Sequence, residues 1–189
     1  MKLSPSLARG SRNLAFIAAF ALGASSAYAA TYWKVEGLLK SFFQGSKRVH
    51  YKDITLSDAA ASDIAKKLGI GAVKRDWKVY VGEHDGQRDG FAIVDQEKGM
   101  HEPIDFAVRF STAGVVERIE ILVYREAYGD EVRGDRFRAQ FRGKTANDPI
   151  TAGKDIDIVS GASISSRSVA LGVKRDALVL QAAIKNGSL

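Results

Sequence analysis

The sequence predicts an α+β domain: a mostly antiparallel sheet packed against helices and closed by a long C-terminal helix. Three observations carry that expectation. Segments between Trp77 and Glu126 alternate apolar and polar residues at the period of two expected of half-buried strands. Turn-forming stretches at Asp85–Gly90 and Thr112–Gly114 separate these segments, so neighbours pair as hairpins. From Ile164 onward the period becomes helical, with Val169, Val173, Ala177, Leu180 and Ile184 on one face.

The elements follow in order. Residues 1–29 have the form of a secretory signal. Lys2, Arg9 and Arg12 make a basic start, "LAFIAAFALG" a short apolar run, and Ala27-Tyr28-Ala29 a cleavage pattern. The run is shorter than the ~20 apolar residues of a spanning helix; an uncleaved anchor is the alternative. Tyr32 to Phe43 has helical spacing, and "RVHYKDITL" reads as a strand. Ser57 caps a helix over "DAAASDIAKKLG", with Lys66 and Lys67 near its end and Gly69 as its stop. "WKVYVGEH" and "FAIVDQ" are strands around the "DGQRDG" turn. "PIDFAVRFS" and "VVERIEILVYRE" make a second hairpin, with Val116, Ile119, Ile121 and Val123 inward and a bulge near Arg118. "DRFRAQFRGK" is a short helix bringing Phe137 and Phe141 together, and "DIDIV" reads as a strand before the last helix.

Composition narrows the class. A 189-residue chain that is 46% hydrophobic and 26% charged holds one ordinary globular domain, expected over residues 30–189. It has no cysteine, so an exported form holds its core without disulfides and offers no thiolate to a metal or cluster. The net charge is +6, but the signal carries three of the 28 basic residues. Its removal leaves 25 against 22 acidic ones, a mild +3. No basic stripe with interleaved aromatics occurs, so a nucleic-acid partner is not expected. The export signal and the absence of cysteine point to a periplasmic location.

Familiar catalytic motifs fail. Gly69-Ile70-Gly71 lacks its third glycine, because Lys74 stands there, and it follows a helix. "FRGKT" lacks the leading glycine of a phosphate loop, since Arg138 occupies that place; Gly143 reads better as a helix stop. His50, His84 and His101 are scattered, so no metal site is expected. No serine lies in a G-x-S-x-G elbow. No catalytic residue is assigned.

What remains is "DIDIVSGASISSRSVALGV", Asp155 to Val173. Ser160 or Ser163 is able to cap the last helix, and one such residue would suffice. The small residues Gly161 and Ala162 also let the backbone approach a bulky group. A helix N-terminus favours a phosphate, and a hydroxyl there contacts or carries one. Asp157 is placed to orient that hydroxyl or to hold a metal during modification. A serine is a weak nucleophile without activation, so a separate transferase is needed.

"DIVSGAS" followed by "ISS" resembles the attachment motif of the FMN-binding domain family found in the sodium-pumping NADH:quinone reductase, the Rnf complex and the nitrous-oxide reductase regulator. "YREAYGDEVRGDRFRAQFRGK", Tyr124 to Lys144, is similar to the segment upstream of that motif in regulator-type members. The two blocks stand in the family's order. Asp157, Ser160, Gly161 and Ala162 match directly. Ser163 stands at the acceptor position, where Thr is commoner. The resemblance implies FMN held by phosphoester to Ser163, installed from FAD by a flavin transferase outside the cytoplasm. Glu126 matches the family's acidic residue, but Ala127-Tyr128-Gly129 follows it in place of the Pro-Gly of the quinone-reductase branch.

A flavin ring needs a flat, partly apolar wall. Tyr124, Tyr128, Phe137 and Phe141 are the aromatic candidates; the two phenylalanines read as helix core and Tyr128, on a glycine turn, is preferred. Lys144 or Arg138 is a candidate to face a reduced flavin, against the plainer reading of solvated charge. The expected function is an exported FMN-bearing electron carrier, exchanging electrons with a membrane or periplasmic redox partner, rather than a stand-alone enzyme. The alternatives are a flavin-dependent reductase of a small substrate and a non-redox periplasmic binding or assembly module.

Overall fold

A computed structural model describes residues 29–189. The signal peptide expected over residues 1–29 lies outside the described residues, except for Ala29. The elements are β1 (Ala30–Thr31), α1 (Val35–Phe42), β2 (Arg48–Thr55), α2 (Asp58–Leu68), β3 (Asp76–His84), β4 (Gln87–Lys98), β5 (Pro103–Phe110), β6 (Val116–Tyr124), a 3-10 turn (Asp130–Arg133), α3 (Asp135–Ala139) and α4 (Ser163–Lys185). Six strands form one antiparallel sheet in the order β1-β6-β5-β4-β3-β2. The α+β expectation holds, long C-terminal helix included.

The central strands β4 to β6 are covered on both faces, whereas edge strand β2 is largely exposed. The sheet's inner face presents Val79, Phe91, Ile93, Phe106, Val108 and Ile119 to α2, α3 and α4. Its outer face presents Ala92, Ala107 and Leu122 to Leu38, Phe42 and Phe43 at α1. Helix α4 lies close to the strands because residue 172 is glycine: a Cβ there would stand 2.3 Å from Phe106 Cζ. On the outer face, Arg109 crosses to donate from Nε to the Phe42 carbonyl at 3.2 Å, serving an end of α1 that lacks partners of its own. Phe137 and Phe141 are buried edge to face, 5.3 Å between centroids, as core rather than cofactor wall.

Local chemistry explains several ends. Ser57 Oγ accepts from Ala60 N at 3.2 Å, and Gly69 stops α2 in the left-handed region at φ 67°. Asp85 and Gly86 both have positive φ and join His84 to Gln87 as a two-residue hairpin loop. The turn is therefore shorter than "DGQRDG", and β4 absorbs Gln87–Gly90.

Three expectations are corrected. "DIDIV" is not a strand: Asp155 accepts from the amides of Thr151 at 2.7 Å and Ile150 at 3.1 Å, folding the segment into a loop with one isolated bridge, Ala152 to Ile156. Val123 packs on the outer face instead of the inner one. The register shifts between Asp105 and Phe106, which pair with Val123 and Ile121, so Leu122 is an extra residue that reverses the alternation. Gly143 does not cap α3, which ends at Ala139; its N–H donates to Val116 O at 2.8 Å after a further turn. The bulge expected near Arg118 is present, with Glu117 unpaired between partners of Arg109 and Phe110.

Candidate functional site

The N-terminus of α4 meets two loops at one end of the sheet. The cleft between them has a volume of about 460 Å³. Met100 and His101 line it from the β4–β5 turn, Glu126, Ala127 and Tyr128 from the exit of β6, and Gly161 to Ser165 from the helix start. Three exposed apolar side chains rim it: Met100 (59% exposed), Tyr128 (86%) and Ile164 (44%). A wider depression of about 600 Å³, bordered by Trp33, Val94 and Asp105 among others, carries no hydroxyl side chain.

Helix α4 has no serine cap. Ala162 is the N-cap, with no side-chain hydrogen bond, and Ser163 is the first helical residue. Neither Ser160 nor Ser163 takes the capping role. The first bond of the helix runs from Ser166 N to Ala162 O at 2.8 Å, so the amides of Ser163, Ile164 and Ser165 precede it. Ser163 is exposed at the positive end of a 23-residue helix. Gly161 has φ +80°, a conformation that admits glycine far more readily than other residues, and its open side has nothing within 4 Å of a built Cβ.

The serines behind the corner hold it in place. Buried Ser166 accepts from Val159 N at 3.1 Å and donates to Ala162 O at 2.8 Å, fastening the loop to the helix it precedes. Ser165 Oγ lies 2.7 Å from the Tyr124 hydroxyl, which donates to Tyr128 O at 2.6 Å. Ser168 Oγ donates to Lys98 O at 2.6 Å. These contacts tie the helix start to both facing loops. Burial raises the Tyr124 hydroxyl above its ordinary pKa, while the Ser165 hydrogen bond opposes that shift.

Glu126 is occupied structurally. Its Oε1 accepts from His101 N at 2.7 Å and Glu102 N at 3.2 Å. Burial raises its pKa, but backbone N–H donors at His101, Glu102 and Met100 bring the net below the usual carboxylate range. A Cβ at Gly99 would stand 2.5 Å from this oxygen, so glycine leaves the room the carboxylate needs.

The structure therefore brings together Ser163, Gly161, Ala162, Glu126 and Tyr128. Ser160 and Asp157 do not line the cleft: both are exposed or nearly so, and the Asp157 amide donates to Gln140 Oε1 at 2.6 Å. Lys144 pairs with Asp155 at 2.8 Å, and Arg138 pairs with Glu120 and Asp135; neither lines the cleft. Sequence reasoning missed Met100 and His101 as part of this site and assigned no role to Ile164 and Ser165. The first two come from a distant hairpin turn, whereas Ile164 and Ser165 were visible within the "ISS" run.

The fold and site define a class: an α+β domain whose last helix presents an exposed hydroxyl and unpaired amides beside an apolar-rimmed cleft. That donor set suits a phosphate with a flat apolar body. Residues 99–177 match the family described as "FMN-binding domain". The chain is 30% identical over 109 residues to a protein of Clostridium ljungdahlii that forms part of the proton-translocating ferredoxin:NAD(+) oxidoreductase complex, covering 53% of this chain and 57% of that protein's length. The fold is similar to the crystal structure of NqrC from Shewanella oneidensis, with a TM-score of 0.53 at 19% identity over 77% of this chain and 88% of that one.

Proposed function

We propose that Ser163 carries FMN in phosphoester linkage and that the chain serves outside the cytoplasm, in the periplasm, as an electron-transfer domain. One observation carries the reading: the Ser163 hydroxyl is exposed at the first residue of α4, beside a cleft rimmed by Tyr128, Met100 and Ile164. The amides of Ser163, Ile164 and Ser165 stabilise the negative phosphate, and the helix dipole adds to that attraction. Tyr128 and Ile164 shield the apolar part of the ring from water. Bound flavin supplies reversible electron transfer; the protein sets its position and exposure.

Ser163 has no base within its own hydrogen bonds, so loading needs an external flavin transferase. Transfer from FAD makes the Ser163 Oγ–phosphorus bond, breaks the pyrophosphate bond, and releases AMP and the serine proton. The relative from Clostridium ljungdahlii is part of a multi-protein oxidoreductase complex, which supports a membrane-bound redox assembly as partner. The domain is proposed to extend over residues 30–189, because β1 to β4 continue the same sheet into the matched segment.

Intact-mass analysis of the chain, exported together with a flavin transferase, tests this. The mature wild type gains FMN less one water; Ser163→Ala gains nothing and Ser163→Thr keeps the adduct. An adduct that survives Ser163→Ala overturns the attachment site. A colourless wild type without added mass overturns the function.

A further inference from the structure

We propose that the Gly99–Glu102 turn is the second wall of the flavin site, and that His101 on it couples reduction of the flavin to proton uptake. The inference rests on FMN at Ser163 and deepens that reading. Met100 and His101 line the same cleft as Ser163, from an element far away in sequence. Their turn is held from two sides. Glu126 accepts the amides of His101 and Glu102, and Gly99 N donates to Glu102 O at 2.9 Å. Ser168 on α4 donates to the carbonyl of Lys98 at the base of the turn. A turn fixed to both other walls holds the backbone of Met100 and His101 at the cleft.

The charged neighbours leave His101 as the group able to switch. Lys98 and Glu102 flank it on its own turn. From the β6 exit, the Glu126 carboxylate is engaged by amides, and Arg125 is engaged by Pro103 O and Asp105. Tyr128 is the other ionisable side chain there, and the cleft-lining residues of α4 and its approach, Gly161 to Ser165, carry no charge. Imidazole is the side chain whose ordinary charge change falls between about pH 5 and 8.

Reduction by two electrons and one proton leaves an added negative charge near the turn. An imidazolium in the same cleft favours that charge, so by linkage reduction draws one further proton onto His101. Wild type, His101→Gln and His101→Lys are compared as flavin-loaded full-length chains. The reductant is a reduced low-potential dye, and the reduced-to-oxidised ratio is read at fixed ambient potential across pH. In the wild type this ratio falls with rising pH by up to about tenfold per unit beyond the dependence common to all three, within part of the imidazole window. His101→Gln loses that extra fall. His101→Lys also loses it, yet keeps at high pH the reduced fraction the wild type shows at low pH. Parallel curves for wild type and His101→Gln overturn the proposal. Intact mass separates the two levels: an adduct with parallel curves removes only the role of His101, whereas a wild type without adduct removes the flavin site and the proposal with it.

Discussion

Tyr124 Oη lies 2.7 Å from Ser165 Oγ, and the direction of that hydrogen bond follows from a third atom. The tyrosine has one proton and directs it to Tyr128 O at 2.6 Å. The serine is therefore the donor to Tyr124. Through this chain the last residue of β6 ties the Tyr128 loop to the first turn of α4.

Tyr124→Phe keeps the ring in the core, strands the buried Ser165 hydroxyl and frees the exposed Tyr128 loop. A loss of about 1–3 kcal/mol is expected for a buried group deprived of its partner. Urea unfolding checks it, with a lower midpoint and an unchanged slope. The loosened Tyr128 loop also slows flavin loading under limiting transferase, read by intact mass.

Asp176 is fully buried on α4 beside Asp95, which itself accepts from Lys74 at 2.8 Å and Arg175 at 2.5 Å. Burial, then the neighbouring Asp95 charge, raises Asp176 well above the ordinary carboxyl range, and neither of its carboxyl oxygens has a hydrogen-bond partner. Its contribution is full below the ordinary Asp value of about 3.9 and is lost as pH rises from there to the folded value. Asp176→Asn keeps a donor and removes that titration. The variant gains stability relative to wild type as pH rises above about 4, by at most about 1.4 kcal/mol per unit. Thermal melts over a pH series check this; equal pH slopes refute it.

Gly172→Ala places a methyl 2.3 Å from Phe106 Cζ across the α4–sheet seam. Overpacking of this kind costs about 1–3 kcal/mol and lowers the melting temperature, although alanine is the better helix former. Calorimetry reads the sign directly.

Glu126→Ala releases the amides of His101 and Glu102. Faster hydrogen exchange is expected at those two positions, with little change in the central strands. The lowered Glu126 pKa gives the same result through pH. Its contribution is present above the ordinary Glu value and is lost as pH falls through the depressed one, so wild-type exchange at the turn, corrected for intrinsic rates, rises in acid.

Much was readable from local patterns. Alternation predicted β3 to β6, Ser57 and Gly69 marked the limits of α2, and the helical period from Ile164 predicted α4. The "SGAS" corner and the block from Tyr124 onward pointed to the family whose description residues 99–177 match. These signals survive in sequence because each depends on residues within a turn or two of one another. Packing overrode local pattern where the two disagreed: an extra residue at Leu122 turned Val123 to the outer face, and Asp155 drew its neighbours into a loop.

The sequence by itself determined the class of fold, the limits of most elements and the hydroxyl-bearing corner, all consequences of short-range spacing. Only the tertiary structure decided that Met100 and His101 face that corner, that Glu126 braces their turn, and that Ser165 and Ser166 hold the helix start. Those relations join residues brought together by sheet order and helix packing, and a side chain's partner across such a distance is not written in its neighbours along the chain.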